Sequence, residues 1–201
     1  MTFDPATPLF FFRHGETFYN AEGRIQGQLD TPLSPRGREQ AVEAGHKLGE
    51  ALAAHGIGLD TPGWFASPLS RASETMILAR RALAIPEDDF KRDGRLMEIS
   101  FGAWQDLTWP EIGARDPGGF AARKSDFWHF RPPGGENYAD VADRVRAFLD
   151  EIAGPTVVAA HGGVARALMT LIGGVKPEDT PGMPIHQGRL LVFTDGRGRW
   201  I

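Results

Sequence analysis

The chain sets four consecutive apolar residues, Leu9-Phe10-Phe11-Phe12, directly before Arg13-His14-Gly15-Glu16-Thr17. A short apolar run bounded by a turn reads as a buried strand. Two further runs share this form. Trp64-Phe65-Ala66 leads into Ser67-Pro68-Leu69-Ser70-Arg71, and Thr156-Val157-Val158-Ala159-Ala160 leads into His161-Gly162-Gly163. Stretches of helical period lie between them. Ser34-Pro35 marks a helix start with proline at the first helical position. Ala41, Ala44, Leu48 and Leu52 share one face of that helix, which runs to about Ala54 and ends at His55-Gly56. Ser67 or Ser70 is expected to cap a second helix reaching Leu83. A third runs from Tyr138 to Ile152 with Val141, Val145, Phe148 and Leu149 inward, and a fourth from Val164 to about Ile172. An extended piece lies near Lys91–Glu98, and a hairpin near Leu190–Phe193 and Arg199–Ile201. Residues 1–7 read as a loose tail.

Strands alternating with helices predict an α/β fold, three layers deep, around a mostly parallel sheet. The alternation breaks over residues 101–135. That stretch holds seven of the chain's twenty aromatic residues: Phe101, Trp104, Trp109, Phe120, Phe127, Trp128 and Phe130. It reads as an irregular, partly helical cap over the strand edge, its rings mostly filling a satellite core. No repeat, linker or second domain is visible across residues 1–201.

Composition narrows the partners. Net charge is −4, which disfavours nucleic acid or an acidic membrane. A mildly acidic protein that binds anions must gather its positive charge locally. The absence of cysteine removes disulfide and thiol chemistry and suits the cytoplasm. The N-terminus carries Asp4 and Pro5 without a basic leader and reads as no signal peptide, and no apolar run reaches membrane-spanning length.

The strand ends carry the candidate chemistry. Arg13 and His14 arrive side by side where Gly15 lets the backbone approach a ligand. Arg71 falls in the first turn of a helix, where the dipole already favours negative charge, so a structural arginine is poorly matched there and phosphate recognition explains it better. His161 precedes the helix N-terminus opened by Gly162, a ready-made anion site. Glu98 is a carboxylate within the apolar stretch Leu96 to Trp104. A phosphoryl group in transfer spreads charge over three oxygens, so positioned cations and a line of attack are the main requirements. Two guanidiniums and a second imidazole supply the charge, and His14 supplies the line. Free glutamate is mostly ionised at pH 7, so a proton-donating Glu98 calls for burial or a nearby phosphate dianion.

These motifs, from Arg-His-Gly-Glu-Thr through Ser-Pro-Leu-x-Arg-Ala-x-Glu-Thr and Glu98 with Phe101-Gly102-x-Trp104 to His161-Gly162-Gly163, resemble those of the histidine phosphatase superfamily, also called phosphoglycerate mutase-like. The resemblance covers Leu9 to about Phe193. It implies the fold above with the site at the strand C-terminal edge, and a phosphohistidine intermediate. It implies His14 as nucleophile, Glu98 as general acid, and Arg13, Arg71 and His161 as phosphoryl ligands. Asn20 matches a phosphate-contacting asparagine, and Gln26, Gly27 and Gly162 complete the expected binding set, with Gln26 suggested to orient the attacking water.

The expected activity is a metal-independent phosphomonoester hydrolase of the histidine acid phosphatase type. Arg24-Ile25-Gln26-Gly27 and Gly134-Gly135-Glu136-Asn137 resemble the phosphatase branch. A mutase needs a second anion site, and the region that carries it offers only scattered Arg115, Arg123, Lys124 and Arg131. The mutase remains the runner-up, with 2,3-bisphosphoglycerate as cofactor in that case alone. An inactive phospho-ligand binding protein is the alternative of another class. No His-Glu-x-x-His or Gly-x-x-x-x-Gly-Lys occurs, which disfavours a metal hydrolase or P-loop enzyme. The expected partner is a small phosphorylated molecule, with a homodimer the oligomer left open. Two departures from the family pattern stand at Gln105-Asp106, where Glu-Gly is frequent, and at His186-Gln187, near a frequent Asn.

Overall fold

The side chains of Leu9–Arg13 (β1) point alternately to two separate cores. Leu9 and Phe11 pack into one, Phe10 and Phe12 into the other, and all four are fully buried. Burying one such ring contributes about 1.5–3 kcal/mol, so a strand apolar on both faces is held at the centre of the sheet. The computed structural model describes residues 3–201. After β1 come a short α1 (Phe18–Ala21), α2 (Pro35–Ala54), β2 (Gly63–Ala66), α3 (Ser70–Ala82) and β3 (Lys91–Arg92). The cap region holds α4 (Trp109–Arg115) and α5 (Pro117–Ser125). Then follow α6 (Tyr138–Leu149), β4 (Thr156–Ala160), α7 (Gly162–Leu171), β5 (Leu190–Thr194) and β6 (Arg197–Trp200).

The sheet order is β3-β2-β4-β1-β5-β6. The first four strands run parallel, β5 is antiparallel to β1, and β6 is antiparallel to β5 and so runs in the direction of the first four. Helices α6 and α7 cover one face through Val141, Val145, Phe148, Val164 and Leu168. Helices α2 and α3 cover the other through Ala44, Leu48, Leu52, Met76 and Ala79. This is the expected three-layer, mostly parallel architecture. No helix among the described residues is long and apolar enough to cross a membrane.

Register places the site. Arg13 pairs with Ala160, and Ala66 with Ala159. The ladder continues one step beyond the strands, where the His14 N–H donates to Ala160 O and the Ser67 N–H to Ala159 O. His14, Ser67 and His161 therefore leave the sheet together at its C-terminal edge, where α/β folds place ligands.

Helix ends depart from expectation in two places. Leu69, not a serine, is the N-cap of α3 and makes no side-chain cap. Asp30 of a distant loop caps the helix instead, its Oδ1 accepting from the Ser70 N–H at 2.8 Å and from Ser70 Oγ at 2.7 Å. A cap supplied across forty residues leaves no local signal. Helix α7 begins at Gly162 rather than Val164, because His161 is its N-cap and both glycines adopt helical backbone. Elsewhere Ser34 caps α2, with Pro35 at its start and His55 at its C-cap, as the sequence predicts.

Candidate active site

A cavity of about 610 Å³ opens over the C-terminal edge of β1, β2 and β4. Of the expected residues, Arg13, His14, Asn20, Gln26, Gly27 and Arg71 line it, as do Glu98 and Gly162. His161 stands behind His14, their ring centroids 5.2 Å apart.

The turn after β1 is held by close contacts. A Cβ at Gly15 would overlap the Gly37 carbonyl, and one at Gly37 would overlap the Glu16 carbonyl. The start of α2 thus packs directly on this turn, backbone on backbone. The Gly15 N–H donates to Thr75 Oγ1 at 3.1 Å, and the Thr75 hydroxyl donates to Arg71 O at 2.7 Å. Thr75 thereby joins the first motif to the second.

His14 Nδ1 lies 2.7 Å from Gly15 O, an acceptor, so Nδ1 carries the hydrogen and Nε2 keeps its lone pair. Burial first, then Arg13 and Arg71, hold His14 well below the usual imidazole value. His161 is lowered likewise by burial first, then by Arg71, His14 and Arg13. Its Nε2 is 2.7 Å from Ser67 Oγ. That oxygen accepts the Leu69 N–H, and its own hydrogen has no acceptor other than Nε2 among the described residues, so we assign Ser67 as the donor of this bond. His161 then carries its proton on Nδ1, which is buried and has no acceptor within the described residues.

Arg71 is fully buried. Nη1 donates to Leu29 O and Nη2 to Gly27 O, each at 2.7 Å, while Nε has no partner. Burial lowers its pKa to about 10, with Glu98 opposing. Arg13 donates from Nη1 to Ile185 O at 3.1 Å and also has a buried Nε without a partner. Neither arginine forms an ion pair among the described residues. Three donor groups, Arg13 Nε, Arg71 Nε and His161 Nδ1, are thus buried with no acceptor, although such groups almost always have one.

Glu98 sits against the N-terminus of α7. Its Oε1 accepts the Gly163 N–H at 2.8 Å and the Ile99 N–H at 2.9 Å. A Cβ at Gly163 would overlap that oxygen, so glycine there makes the seat. The Gly162 N–H has no acceptor among the described residues. Asn20 Oδ1 accepts from Thr17 N–H at 3.2 Å and Gln187 Nε2 at 3.0 Å, which leaves its amide nitrogen as the donor. Gln26 Oε1 accepts from the Thr17 hydroxyl at 2.8 Å and from that of Thr31. With its oxygen engaged by these hydroxyls, Gln26 keeps its amide nitrogen as a donor at the cavity wall. Among the described residues no three His, Asp or Glu side chains gather as a metal-ligand set.

The roles of several residues escaped sequence reasoning. Ser67 and Thr75 stand at the two ends of the second motif and Gln187 at a departure from the family pattern, and each acts through a neighbour, on His161, Gly15 and Asn20 respectively. Arg123 and Lys124 were grouped as scattered, yet both line the cavity with Arg166 and Tyr138. Their aromatic neighbours were the available signal. Arg131 instead pairs with Asp140 at 2.6 Å, and Arg115 is exposed.

Comparison with known proteins gives a family and close structural neighbours. The family model described as histidine phosphatase superfamily (branch 1) matches residues 9–201. A glucosyl-3-phosphoglycerate phosphatase of Mycolicibacterium vanbaalenii is 36% identical over 185 residues, covering 86% of this chain and 77% of that protein. A 2,3-bisphosphoglycerate-dependent phosphoglycerate mutase of Beijerinckia indica is 31% identical over 196 residues, covering 92% and 90%. The solved structure of a mycobacterial glucosyl-3-phosphoglycerate phosphatase complexed with VO3 superposes with a TM-score of 0.80 at 32% identity, covering 98% of this chain and 96% of that one.

Proposed function

This chain belongs to the histidine phosphatase superfamily, branch 1, and from that membership and the pocket geometry we propose a phosphomonoester hydrolase working through a phosphohistidine on His14. The observation that carries the reading is His14 itself. Its Nδ1 is tied to Gly15 O, which leaves Nε2 as its free nitrogen, and it lines the cavity beside Arg13 and Arg71, whose buried Nε groups lack acceptors, with the unpartnered Nδ1 of His161 next to it.

In the first step Nε2 of His14 attacks phosphorus. The P–O bond to the leaving group breaks as the N–P bond forms, and Glu98 passes its proton to the departing oxygen. In the second step water attacks phosphorus, gives its proton to Glu98, and His14 leaves as the free imidazole. Splitting the displacement in two lowers each barrier. Arg13, Arg71 and the Nδ1–H of His161 hold the equatorial oxygens, with the amides of Asn20 and Gln26 and the Gly162 N–H as further donors. Because these groups supply the positive charge that phosphoryl transfer demands, the reaction needs neither metal nor cofactor.

Similarity to the Beijerinckia indica mutase favours a second reading, phosphoryl transfer between positions of a phosphoglycerate. The Arg24-Ile25-Gln26-Gly27 loop weighs toward hydrolysis. Phosphate release from p-nitrophenyl phosphate with and without EDTA, set beside His14→Ala and acid-quenched labelling, tests the proposal. Expected are EDTA-insensitive turnover, an acid-labile adduct on His14, and turnover at least about 1,000-fold lower in His14→Ala, on the scale by which about 4 kcal/mol of barrier changes a rate. Turnover that survives His14→Ala overturns it. Isomerisation of phosphoglycerate with 2,3-bisphosphoglycerate and no phosphate release establishes the mutase instead.

A further inference from the structure

Three successive N–H groups around the nucleophile are each pinned by a different element. The His14 N–H donates to Ala160 O of β4 at 2.9 Å, the Gly15 N–H to Thr75 Oγ1 of α3 at 3.1 Å, and the Glu16 N–H to Gln40 Oε1 of α2 at 2.8 Å. The first two bonds join parts of the expected motifs. The third does not. Gln40 lies within α2, does not line the cavity, and takes no part in the reaction described above.

The Gly15–Glu16 peptide is the unit on which the chemistry of His14 depends. Its carbonyl accepts the hydrogen of His14 Nδ1 at 2.7 Å. A peptide is planar and trans, so its N–H and C=O point in opposite directions. Fixing the Glu16 N–H therefore fixes where the Gly15 carbonyl points. Glycine has the most freely turning backbone, so this plane needs an external hold. Gln40 is placed to give it. It follows Gly37 by three positions on one face of α2, and Gly37 packs directly on the Glu16 backbone. An N–H only donates, so the side-chain atom of Gln40 that faces Glu16 is the amide oxygen.

We infer that Gln40 is a positioning residue for His14: by holding the Gly15–Glu16 peptide it keeps the hydrogen on Nδ1 and the lone pair on Nε2, where attack on phosphorus begins. Without that hold the peptide turns and Nδ1 loses its acceptor, and a neutral imidazole can carry its hydrogen on either nitrogen. A hydrogen on Nε2 blocks attack and leaves the arginines untouched. Affinity for phosphate is then preserved and only the rate falls. The inference deepens the phosphohistidine reading and rests on it, so its test includes a readout that needs no turnover.

Gln40→Met keeps the length of the side chain and removes the acceptor, whereas Gln40→Glu keeps an acceptor oxygen. Imidazole nitrogen NMR, with the His14 signals assigned by their loss in His14→Asn, follows the tautomer. Acid-quenched single-turnover reactions with p-nitrophenyl phosphate follow formation of the phosphohistidine, and inhibition by inorganic phosphate reports on the clamp. In Gln40→Met the His14 hydrogen is expected to move from Nδ1 toward Nε2 and the inhibition constant for phosphate to stay unchanged. Phosphohistidine formation is expected to slow about tenfold or more, on the scale set by one unmet buried hydrogen bond. Gln40→Glu is expected to restore the wild-type tautomer and rate. A tautomer or a rate unmoved in Gln40→Met overturns the role. So does a Gln40→Glu protein as slow as Gln40→Met while circular dichroism shows both folded, or a phosphate affinity that falls in step with the rate. Absence of any phosphohistidine in wild-type protein, with the tautomer shift in Gln40→Met intact, overturns the hydrolase reading alone.

Discussion

The Ser67 hydroxyl and Nε2 of His161 stand 2.7 Å apart, both fully buried, although 94 positions separate them in the chain. Ser67 acts as a positioning residue. It accepts the Leu69 N–H and returns its own hydrogen to the ring, so the His161 proton faces the other way, on Nδ1. In Ser67→Ala the imidazole is free to carry its proton on Nε2, and a ligand of the phosphoryl group turns from donor to acceptor. A buried unmet hydrogen bond costs about 1–3 kcal/mol, or about 5- to 150-fold in rate at about 1.36 kcal/mol per tenfold. Steady-state kinetics should show that loss in kcat. Imidazole nitrogen NMR should show the tautomer shifting, a change that a packing defect does not produce.

Acid should weaken the fold before it weakens the nucleophile. His14 and His161 are both held well below the ordinary imidazole value, chiefly by burial. Unfolded histidine titrates near about 6.5. Below that pH the unfolded chain binds protons that the folded chain refuses, so stability falls as pH falls and is fully present above it. The urea midpoint is therefore expected to be lower at pH 5 than at pH 7.5. Over the same span His14 stays neutral in the native state, so turnover of p-nitrophenyl phosphate at pH 5.5 should be no lower than at pH 7. A flat urea midpoint would show that neither imidazole is kept neutral by burial.

Adjacent glycines at the start of α7 should respond unequally. A Cβ at Gly163 overlaps Glu98 Oε1, whereas one at Gly162 meets only ordinary contacts with Arg166 and Glu98. Gly163→Ala should therefore displace the acid and lower kcat about as much as Glu98→Gln, roughly 100-fold or more for a general acid. Gly162→Ala should cost much less activity, and alanine in a helix should raise stability by about 0.5–1 kcal/mol. Thermal melts beside kcat separate the two effects. Equal loss of kcat in both alanine variants would remove the steric argument.

The parts of the fold with local causes were legible. Leu9–Phe12 reads as a central strand because both its faces are apolar, and Ser34-Pro35 starts a helix through its own side chain and ring. Parts with remote causes were not. Asp30 caps α3 from another loop, and Gln187 reaches Asn20 across 167 positions. The site was legible for the residues at strand ends, since a strand end fixes where its next residue points. Arg123 was not, because its place depends on Trp109 and Phe127 folding around it. The Gln105-Asp106 departure has a physical reading too. Gln105 Oε1 accepts the Gln28 N–H at 2.9 Å, fastening the loop beside the clamp. Asp106 takes φ 67°, a left-handed backbone that glycine adopts freely and that aspartate tolerates better than most residues.

The backbone seam between Gly15 and Gly37 divides the molecule for anyone who would re-engineer it. Neither position can accept a side chain while the other stays put, so randomised libraries should return glycine at both. The surroundings of α4 and α5 carry no such interlock with the nucleophile's turn. New leaving-group preferences can therefore be selected there without disturbing the machinery that breaks the bond.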